Sequence, residues 1–237
     1  MEYGALSDDQ LAALYAYPDG NALRANMVSS ADGAASLDGA SGGLSSAADR
    51  RVFALLRTLA DVILVGANTA RVERYAPVRV RELWKHLRSG RGATPPIAVI
   101  TASGDLDPDS PLIADAPPHA RTIVITTSSA PLPVREQLGK HAEVIVAGSV
   151  TVDLPTAVRA LHDRGHSHIL AEGGPGILGQ LVAAGLVDEL CLTIGPLLAG
   201  PGAPRILTGA PMPSPVPMSL AHVLEDEGFL LCRYTTR

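Results

Sequence analysis

Six short apolar runs rich in Val and Ile recur at residues 61–67 (DVILVGA), 96–102 (PIAVITA), 121–127 (RTIVITT), 142–148 (AEVIVAG), 167–173 (SHILAEG) and 189–195 (ELCLTIG). Runs of this kind predict strands covered on both faces, as in a parallel sheet. Between several of them the apolar spacing becomes helical. Val52, Phe53, Leu56 and Leu59 share one face behind Ser46 and Asp49, which stand at capping-box separation, and so predict a helix over 46–59. Asp153, Pro155, Val158, Leu161 and Gly165 read as an N-cap, an early proline, an apolar stripe and a C-terminal glycine. Pro175, Ile177, Leu178, Leu181, Val182 and Gly185 repeat that logic over 175–184. Alternation of this sort predicts a doubly wound α/β sheet with helices on both faces. The tail differs: a Gly- and Pro-dense loop after residue 194 leads to two strand-like runs around Asp226-Glu227-Gly228. These read as a hairpin, which adds an antiparallel edge to the mostly parallel sheet.

With 237 residues, 46% hydrophobic and 18% charged, the chain can bury one large core, and a single domain over 1–237 is expected. No apolar run approaches the roughly 20 residues of a membrane span. The acidic start, MEYGALSDDQ, is unlike an export signal, so a cytoplasmic location is expected. Cys191 and Cys232 lie in apolar runs without metal-ligand spacing and read as small buried hydrophobes. A net charge of −5 argues against a general nucleic-acid surface.

Candidate chemistry gathers at strand ends. In LAEGGPGILGQL (170–181), Gly174, Gly176 and Gly179 stand at GxGxxG spacing between a strand and a helix start. That spacing lets the backbone approach a pyrophosphate while free N–H groups face it. Glu172 closes the strand, where open α/β sheets place ligands. No acidic residue ends a following strand about 20 residues on, so a Rossmann domain is disfavoured while dinucleotide binding is not. A second turn, VGANTARVERY, puts Gly66, Asn68 and Thr69 at another strand end and could serve a second phosphate. Residues 71–91 carry seven of the 19 Lys and Arg, which read first as a solvated basic helix and second as an attraction for a phosphorylated ligand. Arg57 adjoins the apolar stripe of the 46–59 helix, where a charge needs a partner. The GxSxG match at Gly39–Gly43 lacks a strand running into it and is rejected as a hydrolase elbow. His162, His166 and His168 read as a solvated turn, so no metal is expected.

Three segments, RANMVSS to FALLR (24–57), ADVILVGANTAR (60–71) and HILAEGG to LLAG (168–200), resemble in order the reductase domain of riboflavin biosynthesis. The likeness runs from about residue 22 to the C-terminus, and 1–21 is expected to be an N-terminal extension. The resemblance implies a dihydrofolate-reductase-like three-layer sandwich, NADPH as cofactor, a phosphorylated small-molecule substrate and a homodimer. Carried over by position, the cofactor would meet Gly174, Pro175, Gly176, Ile177, Leu178 and Gly179, with Thr69 at the second turn. Val28 and Ser29, at the end of the first strand, would line the nicotinamide, and Ser103 would face the adenosine 2′-phosphate. Ser41, Arg57 and Glu172 match substrate-facing positions. Asp32, in SSADG, is the candidate for ordering a water or imine proton, and Glu172 would hydrogen-bond the pyrimidine or ribose. Gly42-Gly43-Leu44 replaces a Trp common in that loop of the family, and Glu73-Arg74-Tyr75 replaces an Asp-Asp-Pro stretch. The zinc deaminase signature often fused to this reductase is absent. The implied reaction is hydride transfer to the ring-opened ribosyl C1 of 5-amino-6-(5-phosphoribosylamino)uracil. A dihydrofolate or pterin reductase of the same fold, or a non-catalytic NADPH-binding protein, are the alternatives.

Overall fold

The computed structural model describes residues 2–236. In chain order its elements are α1 (Asp8–Leu14), β1 (Ala22–Ser30), α2 (Ala47–Leu59), β2 (Val62–Gly66), α3 (Ala67–Val72), β3 (Ile97–Ile100), α4 (Pro111–Ala114), β4 (Ile123–Thr126), α5 (Leu132–His141), β5 (Glu143–Val146), α6 (Leu154–His162), β6 (His168–Ala171), α7 (Pro175–Ala183), β7 (Glu189–Gly195), β8 (Ser219–Asp226) and β9 (Phe229–Thr235). Nine strands form one sheet in the order β5-β4-β3-β2-β6-β1-β7-β9-β8. Pairing is parallel from β5 to β7 and antiparallel for β7-β9 and β8-β9. Glu227 and Gly228 both take positive φ in the β8-β9 turn, as a two-residue hairpin of right-handed twist requires.

Strand alternation sorts the apolar side chains onto two faces. Ile63 and Val65 join Leu55, Leu56, Val99, Val124 and Leu138 on the α2 side. Val62 and Leu64 join Ile123, Ile125, Val158, Leu161 and Leu181 on the α6–α7 side. Each burial of a Leu, Ile or Val is worth about 1.5–3 kcal/mol, which is why the six apolar runs become strands. One run is covered less than expected: β5 lies at the sheet edge, with Glu143 and Val146 exposed.

Residues 3–17, within the N-terminal extension, pack on the domain: Leu11 and Tyr15 are buried in the α2-side core, and α1 starts with a complete Ser7–Gln10 capping box. Two local expectations are corrected. Residues 71–91 are not one solvated helix; α3 stops at Val72, a 3₁₀ turn covers Glu82–Arg88, and Trp84 and Arg88 are buried. Arg88 donates to the carbonyls of Thr58, Ala60 and Gly92, and Arg91 donates to Leu59 O, so two of the seven basic residues serve the α2 C-terminus. At the α2 N-terminus only half of the capping box forms. Ser46 Oγ accepts from Asp49 N at 3.1 Å, while the Asp49 carboxylate accepts from Ser45 Oγ.

β1 lies between β6 and β7 although it carries Arg24, which is fully buried. Arg24 Nε donates to Glu189 Oε2 at 2.6 Å, Nη1 donates to Tyr15 O at 2.7 Å, and the guanidinium lies 3.9 Å from the Tyr17 ring centre. Glu189 Oε1 accepts from Arg233 at 2.6 Å, and Arg233 also donates to Leu14 O. One carboxylate thus holds two guanidiniums, which together fasten the end of α1 to β1, β7 and β9. Among the described residues no helix is long and apolar enough to cross a membrane.

Candidate active site

The chain leaves β2 toward β3 and leaves the adjacent β6 toward β7, in opposite directions across the sheet. A crevice opens at the carboxyl ends of two strands that diverge in this way. Both glycine turns lie there and touch: Gly66 N donates to Gly173 O at 2.8 Å. A Cβ on Gly174 would stand 2.5 Å from Thr69 Oγ1, and one on Gly66 would stand 3.0 Å from Ile177 Cγ1. Glycine at both positions therefore lets the starts of α3 and α7 sit side by side. Pro175 opens α7 behind a Gly174 N-cap with no side-chain cap, and no acidic residue occupies the first turn. The first free N–H groups of α7 and its positive dipole end therefore suit an anion.

The other residues expected at the cofactor separate into distinct places. Val28 and Ser29 close β1 on the same sheet edge, and the Met27 sulfur would stand 3.3 Å from a Cβ on Gly173. Leu178 packs its side chain against Ala25 and Met27 in the core, so only its backbone is available to a ligand. Gly179 has a different neighbour: its Cβ would fall 2.2 Å from Thr208 O, and Thr208 N donates to Pro175 O. The third glycine of the GxGxxG pattern thus admits the loop between β7 and β8. Ser103 is exposed in the loop after β3 and accepts from Asp105 N, while Arg71 donates to Asp105 O.

Arg57 and Glu172, 115 residues apart, meet as a fork. Arg57 Nε donates to Glu172 Oε1 at 2.7 Å and Nη2 to Oε2 at 2.6 Å. Tyr75, which no sequence pattern marked, donates its hydroxyl to Glu172 Oε2. The guanidinium lies 4.1 Å from the Phe53 ring centre and 4.9 Å from that of Tyr75. Burial opposes the charge on Arg57, but the Glu172 carboxylate outweighs it and raises the pKa of the guanidinium. Burial and then the Glu172 charge push the Tyr75 phenol up, so it stays a neutral donor. Side-chain exposure is 2% for Glu172 and 19% for Arg57. The carboxylate is shielded, and the outer edge of the guanidinium is the part open to a ligand. The fork to Glu172 uses Nε and Nη2, so Nη1 is the nitrogen that Glu172 does not engage.

Ser41 N and Oγ both donate to Glu73 Oε1 at 2.9 Å, which ties the loop before α2 to the end of α3. Asp32 accepts from the Ser30 hydroxyl and from the backbone N–H groups of Ala199 and Gly200 at 3.0 and 2.8 Å. Those bonds, the Ser30 one first, hold its carboxyl down at about 2. Asp32 is thus an ionised acceptor that fastens the β7-β8 loop. Glu73 and Thr208, like Tyr75, carried no signal in spacing or composition; the position of Tyr75 in a stretch that departs from the family pattern was its one pointer.

A mostly parallel sheet with an antiparallel end, helices on both faces and two glycine turns at the divergence of β2 and β6 define a dihydrofolate-reductase-like scaffold. Residues 21–229 match the family model of the RibD C-terminal domain. The chain therefore belongs to the RibD C-terminal domain family, the reductases of riboflavin biosynthesis, and is an oxidoreductase of that type. It is 30% identical over 182 residues, 74% of this chain and 77% of the relative, to the 2,5-diamino-6-ribosylamino-4(3H)-pyrimidinone 5′-phosphate reductase of Methanothermobacter thermautotrophicus. A pyrimidine reductase-like protein from Corynebacterium diphtheriae superposes with a TM-score of 0.82 at 32% identity, over 98% of this chain and 96% of that one. The riboflavin biosynthesis reductase Rib7 of Saccharomyces cerevisiae shares the fold, with a TM-score of 0.67 at 17% identity, over 95% of this chain and 97% of that one. Residues 2–20 lie outside the family match yet include buried core residues.

Proposed function

We propose that the protein is an NADPH-dependent reductase of a ribosylamino-pyrimidine 5′-phosphate. The observation that carries this is the outer edge of Arg57, fixed by Glu172 on the same sheet edge as the paired glycine turns. The cofactor half of the site suits a dinucleotide: glycine at 66 and 174 lets the two turns pack side by side, and the start of α7 beside them offers uncapped N–H groups. Gly174, Pro175, Gly176, Ile177 and Thr69 would hold the phosphates, with Val28 and Ser29 beside the nicotinamide. NADPH, when bound, supplies a hydride.

The protein's own task is then orientation and charge placement. Arg57 donates its Nη1 N–H groups to the carbonyl edge of the pyrimidine, and Glu172 acts through Arg57 as a positioning residue. Ser41 approaches the substrate from the loop clamped by Glu73. Asp32 keeps the β7-β8 loop against the end of β1, and as an ionised carboxylate it holds no proton to give at neutral pH. The proton that completes the reduction comes from solvent. Two copies of the chain pair through the β7-β9-β8 end of the sheet, where Leu220 and Leu230 are 55% and 40% exposed. Leu230→Asp is expected to convert a dimer to a monomer in sedimentation.

NADPH oxidation by the purified protein tests the reading, with the diaminopyrimidinone ribosyl phosphate, the aminouracil ribosyl phosphate and dihydrofolate supplied separately. Turnover on either pyrimidine supports it. Turnover on dihydrofolate alone keeps the fold and cofactor and overturns the substrate.

A further inference from the structure

The exit of α3 is a tight reversal. Arg74 N donates to Arg71 O and Tyr75 N to Ala70 O, the paired bonds of a Schellman turn, with Arg74 at φ +51° where glycine is usual. This turn separates two neighbours: Glu73 reaches Ser41, and Tyr75 swings back to Glu172. We propose that Tyr75 is a positioning residue that fixes the Arg57 fork for substrate; the proposal rests on Arg57 being the substrate contact. Three features support it. The hydroxyl donates to Glu172 Oε2, the oxygen that also accepts from Arg57 Nη2, so turning the carboxylate away would break bonds to both residues. The ring lies against the guanidinium, as that of Phe53 does, at 4.9 and 4.1 Å. The pair it steadies leaves Arg57 as the exposed member, at 19% against 2% for Glu172. A guanidinium on a flexible side chain is thereby held in one orientation before substrate arrives, which removes an ordering cost from binding.

The test compares Tyr75→Phe, which keeps the ring, with Tyr75→Leu, which removes it. Steady-state kinetics are read beside the ¹⁵N order parameter of the Arg57 Nε–H group. The expected result for Tyr75→Phe is a rise of about three- to tenfold in KM for the pyrimidine, with kcat and the KM for NADPH within twofold of wild type. The Arg57 order parameter falls, and Tyr75→Leu moves both readouts further. An unchanged KM and order parameter in both variants would overturn the proposal. So would a parallel loss of kcat, both KM values and melting temperature, which marks a purely structural residue. If the wild type reduces none of the offered substrates, the functional reading fails first, and the order parameter alone decides the role of Tyr75.

Discussion

Replacing Gly176 with Asp separates cofactor binding from stability, because the two effects have opposite signs. A Cβ at Gly176 meets only Thr208 Oγ1, at 3.8 Å, so a side chain fits without displacing backbone. The position lies in the first turn of α7, which has neither an acidic residue nor a side-chain cap. A carboxylate there faces the positive end of the helix and is worth roughly 0.3–1 kcal/mol, with about 0.3 kcal/mol more from replacing a helical glycine. The melting temperature should therefore rise by about 1–4 °C. A bound pyrophosphate would feel the opposite. Two unit charges about 5 Å apart at an effective dielectric of about 20 repel by about 3 kcal/mol, which weakens the NADPH Kd by about 100-fold. Thermal melting checks the first part, and calorimetric titration of NADPH at low and high salt checks the second, with Gly176→Asn as the uncharged control. The penalty of the Asp variant should shrink as salt screens it, and the Asn variant should bind within a few-fold of wild type. A stable Asp variant with NADPH affinity within threefold of wild type at low salt would falsify the placement of the cofactor at the start of α7.

Arg57→Lys keeps the charge but loses the fork, so kcat/KM for the pyrimidine should fall by about 10- to 100-fold while NADPH affinity holds; equal loss of both would count against Arg57 as the substrate contact. Glu189→Gln leaves Arg24 and Arg233 without their shared anion in a buried place and should cost about 3–5 kcal/mol in urea denaturation; a loss under 1 kcal/mol would show that the two cations find other partners. The Asp32 carboxyl is held down by its hydrogen bonds, so its support of the β7-β8 loop is complete above the ordinary carboxylate pKa of about 4 and is lost as pH falls through about 2. Amide exchange at Ala199 and Gly200 should accordingly accelerate in acid, beyond its intrinsic pH dependence, in the wild type, and be fast at every pH in Asp32→Ala; protection in that variant equal to wild type would remove the anchor.

Six of the strands were legible because each is a run of apolar residues, and burial follows from composition except at the β5 edge. β1 was not among those runs, although it is central to the sheet. Arg24 and Asn26 break its apolar pattern, and the charge on Arg24 is met by Glu189, 165 residues away. Local pattern carries no information about a partner so distant. The hairpin was legible for a different reason: its turn needs positive φ, and Glu227-Gly228 supplies it. The basic stretch misled because spacing records charge but not carbonyl partners; Arg88 and Arg91 point back onto the end of α2.

The two halves of the site differ in the same respect. The proposed cofactor half is made largely of backbone, at turns where Gly66, Gly173 and Gly174 are required sterically, so its residues can be read from spacing. The proposed substrate half is made of side chains from the last turn of α2, the end of β6 and the exit of α3, and only folding brings Arg57, Glu172 and Tyr75 together. A change at residues 73–75 alters how Ser41 and Arg57 are held without touching the glycine turns. On the proposed reading, residues 73–75 are thus a stretch where substrate preference can change while the glycine turns stay intact. For that reason the choice among the pyrimidines and dihydrofolate belongs to the Tyr75 and Arg57 variants, and the position of the cofactor to Gly176.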